Sequence, residues 1–159
     1  MLKKIAQTAI LFVMLAANHI ALAQSLGPTL DKIRESGVIV VGHREASIPF
    51  SYYDAQNQVV GFSQDLCLRI IDAVKARVGK PNLNVRMVPV NSQNRIPLLQ
   101  NGTIDIECGV TTNTNARHAQ VAFSDTIFLA LTRLLVNKNS GIADFGDLEN
   151  KTVVTNAGT

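Results

Sequence analysis

The sequence predicts an α/β fold built on a largely parallel sheet. Strand-patterned and helix-patterned segments alternate along the chain, the order expected of strands joined by helical crossovers. The run "VIVVGH", residues 38–43, is apolar almost without interruption, which marks a strand covered on both faces. In "SQDLCLRIIDAVKARVG" an apolar stripe of Leu66, Ile70, Ile71, Val74 and Val78 recurs at helical spacing. The chain has 159 residues, 47% of them hydrophobic and 17% charged, a globular composition with room for about one domain.

The elements follow in order. "TLDKIRESG" reads as a helix opened by Thr29 and closed by Gly37. The strand "VIVVGH" comes next, with Arg44 immediately after it. "PFSYYDAQNQVVGFS" reads as two short extended pieces around a polar turn at residues 54–58. The longest helix follows, capped by Ser63, and "LNVRMVPV" alternates as a strand. In "NSQNRIPLLQNGTIDIE", Asn91, Ser92 and Asn94 are suited to capping, Pro97 is tolerated only in a first turn, and Gly102 ends the helix. "TIDIECGV" is a further strand and "TTNTNAR" a polar loop. "LALTRLLVNK" and "KTVVTNAG" are expected strands, separated by a helical turn at "DFGDLEN".

In open parallel sheets, ligands bind beyond the carboxyl ends of the strands. Arg44 follows the first strand. Ser92, Asn94 and Arg95 follow "NVRMVPV". Thr111, Thr112, Asn113 and Arg117 follow "DIECGV". Singly, each arginine reads as a solvated surface residue. Together, at one sheet edge among hydroxyls, they have the electrostatics of a small-anion site. Arg95 supports that reading, because a cation at a helix start opposes the dipole unless an anion lies in front of both the arginine and the helix N–H groups.

The N-terminus has Lys3 and Lys4, an apolar run over residues 10–17, and Ala21-Leu22-Ala23. This is the pattern of a signal peptide, residues 1–23, cleaved after Ala23, and the run is too short for a stop-transfer span. The net charge of +3 then falls to +1, with 13 basic against 12 acidic residues, and nucleic-acid binding loses its electrostatic basis. Cys67 and Cys108 lie on different elements, so a bridge and two small buried residues both remain open. His43 either orients a ligand or fills a gap, and His118 is expected in solvent. Asp105 and Glu107 are expected to serve a structural role, such as pairing with a nearby arginine, rather than to perform acid–base chemistry. No phosphate-cradling glycine loop, zinc spacing or nucleophile elbow is present, and no metal or cofactor is expected.

The stretches "GVIVVGHREASIPFSYYD", "VGFSQDL", "SQNRIPLLQNGTIDIECG", "TTN" and "AFSDTIF" together resemble the periplasmic glutamate/aspartate-binding proteins of bacterial ABC importers. The resemblance implies a periplasmic-binding-protein-like (type II) fold of two α/β lobes holding an amino acid between them. Lobe 1 would span residues 24–127, the crossover residues 128–131, and residues 132–159 would begin a second, truncated lobe. Arg44, Ser92 and Arg95 would hold the ligand's side-chain carboxylate. Gly109, Val110, Thr111 and Thr112, with Arg117, would hold the α-carboxylate and amino group. Val110 stands where the family carries a serine.

The implied protein is a monomeric binding protein that delivers glutamate or aspartate to an inner-membrane ABC permease, with no catalysis. Two alternatives are an enzyme on the same fold, such as a dehydratase using Glu45, and a sensor domain of a membrane receptor. A cleft with only the first piece of its second lobe is not expected to close. The uncovered sheet edges and apolar faces are expected to leave the chain poorly stable.

Overall fold

The computed structural model describes residues 25–159; the expected leader lies outside the described residues. The elements are helix α1 (Pro28–Ser36), strands β1 (Val38–His43), β2 (Ala46–Ser47), β3 (Ser51–Tyr53) and β4 (Val59–Val60), helix α2 (Phe62–Val78), strand β5 (Asn84–Pro89), helix α3 (Arg95–Gln100), strand β6 (Ile106–Cys108) and helix α4 (Asn115–His118). A 3₁₀ turn at Phe145–Leu148 follows. The central sheet has the order β5-β1-β6, and both pairings are parallel. Strands β2, β3 and β4 form a separate antiparallel sheet.

Strand β1 explains the architecture. Ile39 and Val41 point to one face, where they pack with Ile33 of α1 and with Cys67, Ile71 and Val78 of α2. Val40 points to the other, where it meets Val90 and Ile104, with Leu98 and Leu99 of α3 alongside. Both faces are therefore buried, as the apolar run predicts. The mostly helical crossovers supply the covering layers that a parallel pair requires.

Local capping differs from expectation at both long helices. Helix α1 starts at Pro28 with Gly27 as its cap, not at Thr29. Proline's fixed φ suits the first helical position, so it takes the start one residue earlier. Gly37 closes the helix in the left-handed conformation, as expected. Helix α2 is capped by Gly61, not Ser63. Its first N–H groups are satisfied by the loop before β3, with Phe62 N–H donating to Pro49 O and Ser63 N–H to Phe50 O. Gly61 has φ 126°, and a Cβ there would lie 2.5 Å from the Phe50 carbonyl, so only glycine lets the loop pass this close. The buried face of α2 is also rotated from the expected stripe. Ser63, Gln64, Cys67, Ile71 and Val78 are buried, whereas Ile70 is exposed.

The two C-terminal strands are not observed. Residues 129–137 and 151–155 form no ladder, and Leu129, Leu131, Leu135 and Val154 are between 78% and 102% exposed. β-patterned sequence becomes a strand only beside a partner that takes up its N–H and C=O groups, and no described residue offers one. The expected helical turn does form, as a 3₁₀ turn capped reciprocally by Asp144 and Asp147. The polar loop after β6 contains a helix that the sequence reading left out, α4, capped by the Thr114 hydroxyl.

Cys67 of α2 and Cys108 of β6 form a disulfide, with Cα atoms 6.0 Å apart. The bridge closes a loop of 41 residues and ties the longest helix to the sheet beside the segment that follows β6. Replacing both cysteines by alanine is expected to lower unfolding stability by about 2–5 kcal/mol. Urea titration of the two proteins checks this, and an unchanged midpoint would show that the bridge contributes nothing.

Candidate functional site

The carboxyl ends of β1, β5 and β6 lie side by side, because His43 is in register with both Pro89 and Cys108. The segments leaving these three ends carry every residue predicted for the site. Arg44 and Ser92 come together, with the Arg44 guanidinium donating to Ser92 Oγ at 3.3 Å. Arg95 and Arg117 converge on a single acceptor, the Gly158 carbonyl oxygen, at 3.2 and 2.9 Å. Arg117 also donates to the Thr112 carbonyl at 2.9 Å, and Thr111 donates to Glu107 Oε2 at 2.9 Å. Gly109 lies against both Glu107 and Arg44. A Cβ there would overlap Glu107 Oε1 and come within 2.9 Å of Arg44 Cγ, so a larger residue would have to displace these side chains. Val110 is 37% exposed between them.

These positions are held from behind by a buried polar network. Gln64, in the first turn of α2, donates to the Cys108 carbonyl at 2.5 Å and to Ser51 Oγ at 2.8 Å. Ser51 Oγ in turn accepts from the Arg44 backbone N–H at 2.9 Å. Ser63 Oγ donates to the Gly109 carbonyl at 2.8 Å. Sequence reasoning missed Gln64 and Ser51, and assigned Ser63 to a cap. The available signal was the pair of polar residues at the start of a helix whose later turns are apolar.

Arg95 is 2% exposed, which sequence reasoning did not foresee for a residue at a helix start. Its Nε is buried without a partner. Burial pulls the Arg95 guanidinium below its ordinary value; Glu107 opposes that shift, and Arg117 and Arg44 add to it. The first N–H of the helix is not free for the expected role. Arg95 N–H donates to Asn91 O, and the N–H groups of Gln93 and Asn94 donate to Asn91 Oδ1. Asn91 completes the turn by donating its own N–H to Asn94 Oδ1. A six-residue helix whose first N–H is already used adds little to an anion site, so the arginine side chains carry the attraction.

Glu107 is the carboxylate at this site, in place of the Glu45 considered above, which is exposed. Burial raises its pKa above 4.5, while the Thr111 hydroxyl and then Arg95, Arg44 and Arg117 pull it down. Its Oε1 is buried without a partner. Asp105 behaves differently and pairs with a lysine rather than an arginine. Its Oδ1 forms an ion pair with Lys32 Nζ at 2.5 Å, and its Oδ2 accepts from Val40 N–H at 2.8 Å. His43 is a gap-filler, 1% exposed and edge-on to Tyr53, whereas His118 is exposed on α4. Among the described residues, no group of three His, Cys, Asp or Glu is placed to hold a metal ion.

Residues 39–157 match the model of the bacterial extracellular solute-binding proteins, family 3. The chain is 60% identical over 137 residues to the glutamate/aspartate import solute-binding protein of Salmonella typhimurium, covering 86% of this chain and 45% of that protein. It is 52% identical over 153 residues to the L-glutamate/L-aspartate-binding protein of Pseudomonas aeruginosa, covering 96% and 50%. The chain thus spans about half the length of the curated relatives it matches. Among solved structures, an ancestral cationic amino acid solute-binding protein superposes with a TM-score of 0.54 at 34% identity, covering 62% of this chain and 40% of that one. A mutant of the arginine-bound form of domain 1 from TmArgBP superposes with a TM-score of 0.52 at 30% identity, covering 62% and 71%. The sequence, the sheet order and the arrangement at the strand ends agree, and the chain belongs to the bacterial extracellular solute-binding proteins of family 3.

Proposed function

We propose that this chain supplies the arginine-bearing half of a site for L-glutamate or L-aspartate, captured outside the cytoplasm for an ABC-type importer. The observation that carries the reading is the convergence of Arg95 and Arg117 on one oxygen, with Arg44 and Ser92 alongside. Two guanidiniums aimed at one acceptor suit a carboxylate oxygen, which binds them more strongly than a neutral carbonyl does. A ligand carboxylate would therefore displace Gly158 O. The names of the Salmonella typhimurium and Pseudomonas aeruginosa relatives favour a dicarboxylic ligand.

In this reading Arg44, Ser92 and Arg95 take the side-chain carboxylate. Gly109, Val110, Thr111 and Thr112, with Arg117, take the α-carboxylate and ammonium. The protein works as a monomer by non-covalent capture and delivers its ligand to an inner-membrane permease. Residues 24–127 act as one lobe, 128–131 as the crossover and 132–159 as the start of the second lobe. Thr111 is engaged with Glu107, and the relatives' names, those of solute-binding proteins, favour capture over catalysis.

Calorimetry on the chain, and on the chain extended by the remaining half of its Pseudomonas aeruginosa relative, tests the ligand. Heat is expected with L-glutamate and L-aspartate and not with L-lysine or L-glutamine; binding of lysine alone would overturn the specificity. Arg117→Met is expected to cost about 1.5–3 kcal/mol of glutamate affinity, the worth of a charge-assisted bond, with an unchanged circular dichroism spectrum. Equal affinity would remove Arg117 from the site. Export and cleavage are checked by N-terminal sequencing of the extracytoplasmic chain, which should begin at Gln24.

A further inference from the structure

We propose that Glu107 is a proton-linked positioning residue: it holds Thr111 and faces the three arginines, and it takes up a proton when an anion claims them. The inference rests on the anion-binding reading above. Glu107 lies on β6, two residues before Gly109, and its Oε2 accepts from the Thr111 hydroxyl at 2.9 Å. Its Oε1 is buried with no partner, and Glu107 takes part in none of the ion pairs formed among the described residues. The missing side chain of Gly109 makes room for this carboxylate against the stem of Arg44. A buried carboxylate this poorly bonded stays ionised only through the field of nearby cations.

The charged groups facing it are Arg44 beyond β1, Arg95 on α3 and Arg117 on α4. An anion bound to these arginines cancels their field at Glu107 and leaves burial unopposed. A proton from solvent then adds to Oε1, while Oε2 continues to accept from Thr111. A neutral or cationic amino acid brings no side-chain carboxylate to Arg44 and Arg95, so it cancels less of that field and draws less of a proton. Glu107 thus makes the site respond to ligand charge without touching the ligand. Burial already raises this carboxyl above 4.5 in the folded chain. Its stabilising share is therefore complete below that pH and is lost as pH rises through the folded value. Glu107→Gln removes that loss, so the variant gains on the wild type as pH rises.

The test is calorimetry of L-glutamate binding to the full chain at about pH 6.5 in MES and in imidazole, where the ligand's own carboxylates stay ionised. The wild-type heat should differ between buffers, by the amount for at most one proton per ligand, and the Glu107→Gln heat should not. His43 and His118 are retained in the variant, so any contribution from them persists there. In parallel, carbon-13 NMR of the wild-type Glu107 carboxyl should show its titration midpoint rising on addition of L-glutamate or inorganic sulfate. This second measurement decides alone if the variant does not fold. Glutamate binding with equal heats in both buffers and a static midpoint overturns the proton linkage and leaves the binding assignment intact. No glutamate heat, with a midpoint that rises in sulfate, keeps the linkage and removes the ligand assignment. A midpoint unmoved by either anion, with no heat, removes both.

Discussion

Strand β1 is hydrogen-bonded along both edges and packed on both faces, and the rest of the fold depends on that position. Its parallel register with β5 and β6 aligns three strand ends within one pairing row, His43 with Pro89 and Cys108. Parallel strands cannot be joined by tight hairpins, so each crossover must leave the sheet and return, and each departure begins at the same edge. The site is a consequence of that topology. Three segments distant in sequence leave together, and each brings an arginine.

Topology alone would leave those segments loose. The Gln64 side chain removes much of that freedom by bonding the Cys108 carbonyl and, through Ser51, the backbone of Arg44. Two of the three strand ends are thereby fixed to the first turn of α2, and the Cys67–Cys108 disulfide binds the same helix to the same strand. The charges in front of this frame are only partly satisfied. Arg95 Nε and Glu107 Oε1 are both buried and unpartnered. Leaving a buried polar atom unsatisfied costs about 1–3 kcal/mol, at or above the ~1 kcal/mol of an ordinary hydrogen bond. The frame therefore holds a strained electrostatic arrangement in place, and an incoming anion has the most to offer there.

The parts of this arrangement that follow from periodicity were readable beforehand. The apolar run of β1, the alternation of β5, the length of α2 and the polar residues after each strand all express local pattern. The parts that depend on three-dimensional neighbours were not. Thr29 and Ser63 look like helix caps until Pro28 and the carbonyls of Pro49 and Phe50 are seen to do that work. Residues 129–137 have strand composition, but composition cannot supply a partner strand. Glu107 alternates like any half-exposed strand residue, and only the glycine two positions on and the three arginines around it reveal its buried charge. Arg95 looked misplaced at a helix start; its side chain instead reaches Arg117's acceptor, and its own N–H is taken by Asn91.

The central claim is that the three strand ends act as one anion site. Nitrogen-15 NMR of the arginine Nε–H groups reads it directly, since each guanidinium reports its own hydrogen bonding. The account predicts that L-glutamate shifts the Arg44, Arg95 and Arg117 resonances in one saturable transition while the other arginines stay fixed. Shifts confined to arginines away from the carboxyl edge of the sheet, or three transitions with unrelated midpoints, would contradict it.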